Sequence, residues 1–241
     1  MKRMQWMKTK VCWSVVCLGL VMTPSVPASG EQPNPEQKAQ AEDSTLPRVS
    51  IANFIYGDGK TAECFSERFL LDVNEETSIE INANMSQIEL ASAQVFEHPF
   101  AVMSGEGAFD LTAAEKEMMS MYLEAGGFVV ASAGCSSREW ARSFSSVIGE
   151  MYPDAELKQL EPDHAVFHTV YDISKVKYKR GPARLPTLKA LVLDGRIVLL
   201  FSPDGLNDTD NAGGTCCCCG GNEIKSARQI NVNLLAYAMA R

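Results

Sequence analysis

Histidine is scarce, with 3 among 241 residues. That leaves little imidazole for acid–base or metal chemistry near neutral pH. Basic charge is also short: 22 Lys and Arg face 30 Asp and Glu, for a formal charge of −8. Nucleic acids and anionic membranes select basic surfaces, so neither is an expected partner. The apolar run 11–22 has 12 residues, interrupted only by Ser14 and Gly19. A bilayer span needs roughly 20. What is present is a globular balance, 46% hydrophobic and 22% charged, which excludes a wholly disordered chain.

The start of the chain reads as a processing signal. Lys2, Arg3, Lys8 and Lys10 precede the apolar run, and Val26-Pro27-Ala28 follows it. A basic start, a short apolar centre and small residues at the cut are what a signal peptidase reads. We expect a signal peptide over 1–28, cleavage after Ala28 and export to the periplasm or beyond. The rival is an uncleaved anchor. Cys17 follows Val16 rather than a small residue, which argues against a lipid-anchored cysteine. Cleavage removes four bases and no acid, leaving 18 against 30 and a charge of −12. It also removes Cys12 and Cys17, so six of the 8 Cys remain. An even number in an oxidising compartment suggests disulfides. Residues 29–46 are rich in Gln, Glu and Pro without an aromatic. They cannot bury enough apolar surface to offset chain entropy and read as a disordered tether.

Residues 47–241 alternate strands and helices. Strands are expected over 49–56, 100–103 and 128–131, with a weaker one over 78–81. A helix is expected over 61–72 on Phe65, Phe69 and Leu70. Thr112 and Glu115 form a capping box opening a helix whose inner face is Met118, Tyr122 and Ala125, ended by Gly126-Gly127. Another helix over 137–151 presents Trp140, Phe144, Val147 and Ile148. Apolar runs 188–193 and 196–202 flank Asp194-Gly195, a turn pair suited to a tight hairpin. A last helix over 222–240 takes Asn222 as its cap, with Ile224, Ala227, Leu234 and Ala238 inward. The pattern is α/β, a mostly parallel sheet with helices on both faces and a late antiparallel hairpin.

Certain stretches resemble known families. Tyr122-Leu123-Glu124-Ala125-Gly126-Gly127-Phe128-Val129-Val130 and Asp194-Gly195-Arg196-Ile197-Val198 resemble the trehalose-utilisation (ThuA-like) proteins. Those belong to the class I glutamine amidotransferase-like, flavodoxin-like folds. Phe54-Ile55-Tyr56-Gly57-Asp58-Gly59, Pro203-Asp204-Gly205-Leu206-Asn207-Asp208 and 216–222 more closely resemble an uncharacterised bacterial family, the domain of unknown function numbered four-one-five-nine. The resemblance covers 47–241. It implies a flavodoxin-like fold and no established activity. The amidotransferases use an elbow Cys with a late His-x-Glu, and here no His follows His168.

Ligands of open α/β sheets bind at the carboxyl ends of the strands. Four loops are expected there: 57–64, 104–110, 131–137 and 202–222. They bring Asp58, Lys60, Glu106, Asp204, Asn207 and Asp208 together as candidate ligand-binding residues. Gly59-Lys60-Thr61 has the tail of a phosphate-binding P-loop but lacks its leading Gly, where Phe54 stands. A plain turn is the simpler reading. Cys216-Cys217-Cys218-Cys219 is the rarest feature. Zinc knuckles space their Cys by two so that both thiolates reach one ion, whereas neighbours point apart. The preferred reading is a disulfide cluster joining the quartet to Cys64 and Cys135, with a thiolate metal or redox site as the rival. Six Cys allow 15 pairings, so the connectivity stays open.

Cys135 sits between a strand and a helix among small residues, as an elbow nucleophile would. His164 is its partner by position, to lower its pKa and activate it. His164 and His168 are four apart, a spacing that suits a metal on a helix, but no third ligand is evident. Structural histidines are the simpler reading, and His98 reads as a turn residue. Asp204, Asn207, Asp208 and Asp210 make an oxygen-rich loop suited to Ca²⁺ or sugar hydroxyls, without EF-hand spacing. The expectation is an exported binding or accessory domain. Its partner is a small molecule, a sugar or an envelope protein, with no cofactor and no membrane span after cleavage. The rivals are a ThuA-like sugar-active enzyme, a Cys–His hydrolase, and a thiolate metal or redox protein.

Overall fold

The computed structural model describes residues 48–57, 65–211 and 221–240. They fall within one compact unit, Leu46–Arg241. The expected signal peptide and tether, Asp58, Lys60, Cys64 and the Cys quartet lie outside the described residues.

Seven strands form one sheet: β1 (Ile51–Ile55), β2 (Ser86–Glu89), β3 (Phe100–Gly105), β4 (Phe128–Ala133), β5 (Lys158–Gln159), β6 (Lys189–Leu193) and β7 (Arg196–Ser202). Their order is β2-β1-β3-β4-β7-β6-β5. Pairing is parallel from β2 through to β7. The β7–β6 and β6–β5 pairs are antiparallel. Among the described residues, four α-helices accompany the sheet: α1 (Arg68–Glu76), α2 (Ala113–Glu124), α3 (Arg138–Met151) and α4 (Arg228–Met239). This is the expected flavodoxin-like α/β architecture.

Strands covered on both faces need apolar residues throughout, and every residue of β3 and β4 is buried. One face packs Ile51, Val102, Val130 and Leu200 against Phe69 and Leu70 of α1 and Ile230 and Leu234 of α4. The other packs Phe54, Met103 and Phe201 against Tyr122 and Leu123 of α2 and Trp140 and Phe144 of α3. Trp140 stacks on Phe144 at 5.1 Å, and Phe144 meets Phe201 at 4.8 Å. Removing a ring from such a core costs about 3–5 kcal/mol.

Local signals fix the element ends. Thr112 and Glu115 form the capping box. Ser137 Oγ accepts the Trp140 N–H at the start of α3, whose buried face is the expected Trp140, Phe144, Val147 and Ile148. Asp194 (φ 50°) and Gly195 (φ 76°) make the tight β6–β7 turn. After α2 the chain doubles back so closely that a Cβ on Gly127 would enter the Tyr122 ring. Tyr122 Oη donates to the His98 carbonyl at 2.7 Å, tying the end of α2 to the start of β3.

Several expectations shift. The first described helix is Arg68–Glu76, not 61–72. Phe65 precedes it, and Ser66 Oγ accepts the Arg68 N–H at 3.3 Å. Residues 78–81 contribute only an Ile81–Val49 bridge. The strand beside β1 is Ser86–Glu89, where Ile88 alone is buried, so an apolar alternation was hardly visible. In α2 the buried face is Met119, Tyr122 and Leu123, while Met118 is only partly buried and Ala125 is the C-cap. The last helix starts at Arg228 rather than 222. Residues 223–225 instead hydrogen-bond with 177–179, and Asn222 Oδ1 accepts the Arg180 N–H at 2.6 Å.

Candidate functional site

β2 and β3 lie on opposite sides of β1. The connections therefore diverge at the carboxyl ends of β1 and β3, the kind of switch point where open α/β sheets form a crevice. A small crevice of about 250 Å³ lies there, lined by Tyr56, Gly57, Glu106, Phe109, Asp110 and Trp140 among others. Its walls are firmly held. Trp140 Nε1 donates to Tyr56 Oη at 2.6 Å, and Tyr56 Oη donates to the Ser104 carbonyl at 2.9 Å. Burial pushes the Tyr56 phenol well above its ordinary pKa, against the Trp140 hydrogen bond, so it stays protonated at neutral pH. Glu115, buried at the start of α2, accepts from Gly57 N at 2.6 Å and from Thr112 N at 2.7 Å. The capping residue of α2 thus also anchors the turn after β1.

Cys135 follows β4 with φ 53°, and Ser136 with φ 54°. Two consecutive non-glycine residues in the left-handed region mark a strained elbow. Cys135 is buried, and no other cysteine is among the described residues. Its Sγ lies 2.9 Å from Glu106 Oε1.

His164 lies elsewhere. It lines a groove of about 760 Å³ with Pro99, Gly126 and Arg196, residues at the amino ends of β3, β4 and β7. Its ring is 5.7 Å from that of Tyr237. β4 separates the two edges with six residues, about 20 Å at 3.3 Å per residue. The expected Cys135–His164 pair is therefore not formed. His164 Nδ1 accepts the Val166 N–H and caps a short 3₁₀ turn, Ala165–Phe167. Burial lowers its pKa, with Asp163 opposing. His168 donates from Nε2 to the Pro162 carbonyl and pairs through Nδ1 with Asp172. The two histidines thus have separate structural partners. His98 is buried and C-caps another 3₁₀ turn, Ala93–Glu97.

The oxygen-rich loop after β7 is tied into the fold by hydrogen bonds. Asp204 Oδ2 accepts from Tyr178 Oη at 2.7 Å and Thr187 N at 2.9 Å, and Arg184 reaches Oδ1 at 3.2 Å. Desolvation, then the Asp204 hydrogen bond, pushes the Tyr178 phenol upward. Asn207 is fully buried, with Oδ1 accepting from Ser132 Oγ at 3.0 Å. Asp208 Oδ1 accepts the Ala227 N–H at 2.8 Å, capping the approach to α4 from a distant segment. Burial raises the Asp208 carboxyl above its usual range, opposed by hydrogen bonds from Asn211 and the Ala227 backbone. Asp210 pairs with Lys225 at 2.9 Å. Of the described candidate ligand residues, Glu106 lines the crevice and Asp204 lines a larger cleft nearby.

Sequence reasoning missed a polar band beneath this rim. Ser104, Ser132 and Ser202 pair across β3, β4 and β7, two residues beyond Val102, Val130 and Leu200 and so on the same face. Ser104 Oγ, Ser202 Oγ, Asn53 Oδ1, Asn207 Nδ2 and Asn231 Oδ1 are buried without a hydrogen-bond partner among the described residues. The signal was a Ser at the last or next-to-last position of each of three apolar strands.

The rim is stitched across its loops. Ser136 Oγ donates to the Asp204 carbonyl at 2.6 Å, and Leu206 N to Ser132 Oγ at 2.8 Å. Gly205 (φ 83°) comes so close that a Cβ would stand 2.7 Å from the Ala133 carbonyl oxygen. Ser66 N donates to the Asn207 carbonyl at 3.0 Å, and Ser66 Oγ to that of Asn211 at 3.2 Å. The Gly221 backbone abuts the Cys135 carbonyl. No group of three His, Cys, Asp or Glu that could hold a metal occurs among the described residues. None of the helices of the described residues is long and apolar enough to cross a membrane.

No curated protein matches the chain. A family model, described as "Domain of unknown function (DUF4159)", matches residues 50–239. The likeness to ThuA-like proteins is not confirmed by that match. With the match spanning nearly all of the folded unit, the chain belongs to the DUF4159 family.

Proposed function

We propose that the protein is exported and serves as a binding or accessory domain, with its ligand on the rim at the carboxyl ends of the strands. The carrying observation is the convergence at that rim. Phe65 and Ser66 flank the segment bearing Cys64, and Asn211 and Gly221 flank the segment bearing the quartet. Ser66 is bonded to the 207–211 stretch, and Gly221 abuts Cys135. A disulfide framework there would hold the loops in one arrangement and restrict the unfolded chain, at roughly 2–4 kcal/mol per bond. Such preorganisation favours binding. Cys135, buried where the Gly221 backbone abuts it, is placed to join that framework rather than to serve as a thiolate. An oxidised sulfur is neither a thiolate ligand nor a nucleophile.

The first test is processing. Expressed whole in a bacterial host with a periplasm, the protein should be recovered there with Ser29 as its first residue, by fractionation and intact mass. Full-length protein confined to the cytoplasm would refute export.

A further inference from the structure

We propose that the open cleft between the start of α3 and the 178–187 arm binds a small polyanion through Arg138, Arg180 and Arg184. The proposal rests on the rim reading above and names its ligand class. The cleft measures about 810 Å³ and is lined by Ser136, Arg138, Arg180, Arg184, Pro203, Asp204, Gly221 and Asn222. Among the described residues, three Arg and one Asp line these walls, in a chain whose formal charge is −8. Like charges gathered around one opening repel, and an anion seated between them relieves that repulsion.

The arm carrying two of these arginines is fixed. Lys179 N donates to the Glu223 carbonyl at 3.0 Å, and Lys225 N to that of Lys177 at 2.8 Å. The Arg184 guanidinium lies 3.8 Å over the Tyr178 ring and holds Asp204 at 3.2 Å. Arg180 is placed by its backbone bond to Asn222 Oδ1 at 2.6 Å, and its Nη2 donates to the Gly221 carbonyl at 3.3 Å. Arg138, exposed on the first turn of α3, makes no ion pair among the described residues. Glu139 follows it on that turn but does not line the cleft. A guanidinium presents a planar fork of donors that matches carboxylate or phosphate oxygens two at a time. Forks on opposite walls suit a ligand with two or more such groups, such as a phosphorylated or polycarboxylate small molecule.

The test is calorimetric titration of the full processed protein with pyrophosphate and, separately, citrate. Binding of pyrophosphate alone assigns a phosphate ligand, and binding of citrate alone a carboxylate one. Binding of both assigns the shared oxyanion chemistry, and each result supports the site. Arg138→Gln and Arg180→Gln should each weaken binding about tenfold, the loss of one charge-assisted contact. Affinity should also fall as salt rises. Thermal melting checks that each variant is folded; Arg184 is left alone because it braces Asp204. No binding of either anion, or full affinity in folded Arg138→Gln and Arg180→Gln, overturns the proposal. Export and the disulfide state are measured without any anion, so failure here leaves the rim reading standing.

Discussion

Asp208, a candidate ligand residue, has a structural task in the fold. The sequence offered an acid in a polar loop. The structure buries that acid and uses it to hold the Ala227 N–H, with Asn211 on its other oxygen. Burial raises its folded pKa. A carboxyl raised on folding contributes its full stability below the unfolded value of about 4 and loses it as pH climbs through the folded value. Asp208→Asn retains an oxygen for Ala227 and does not titrate. Urea midpoints of both proteins from pH 4 to 7 should diverge in the variant's favour as pH rises. A constant gap would show that Asp208 titrates as it does in the unfolded chain. Residues of this kind were not legible in the sequence, because a solvated turn and a buried cap have the same composition.

At the scale of elements, legibility followed how local the cause was. The Thr112–Glu115 box, the amphipathic α3 and the Asp194-Gly195 hairpin are set by neighbouring residues, and all appear in the structure. β2 and the start of α4 depend on distant partners. Ser86–Glu89 is a strand because β1 pairs with it, and 222–225 stays out of the helix because the 177–180 arm bonds to it. The junction between α2 and β4 gives an element-scale prediction. A methyl at Gly127 collides with the Tyr122 ring, whose hydroxyl is fixed on His98. Gly127→Ala should cost about 1–3 kcal/mol, the usual penalty of overpacking. Gly149→Ala, where nothing lies within 4 Å, should cost none. Denaturant unfolding of the two variants checks the contrast, and equal stabilities would contradict the close approach.

For the whole molecule, strand order decides which candidates can act together. The sequence placed four loops on one edge, and the described parts of those loops are there, with 131–137 bonded to both 104–110 and 202–211. It also paired Cys135 with His164, which the fold sets on opposite edges of the sheet. Only the path of the chain after 151 shows that, and no local pattern encodes it. The three arginines of the cleft escaped notice for the same reason, since Arg138 comes from α3 and Arg180 and Arg184 from a distant arm.

The account holds that this edge is a cross-linked binding rim rather than a thiol active site. Its most direct test is a peptide disulfide map of the exported protein, taken after blocking free thiols under native conditions. We predict Cys135 linked to Cys64 or to one of Cys216, Cys217, Cys218 and Cys219. Recovery of Cys135 as a free, alkylated thiol would contradict it.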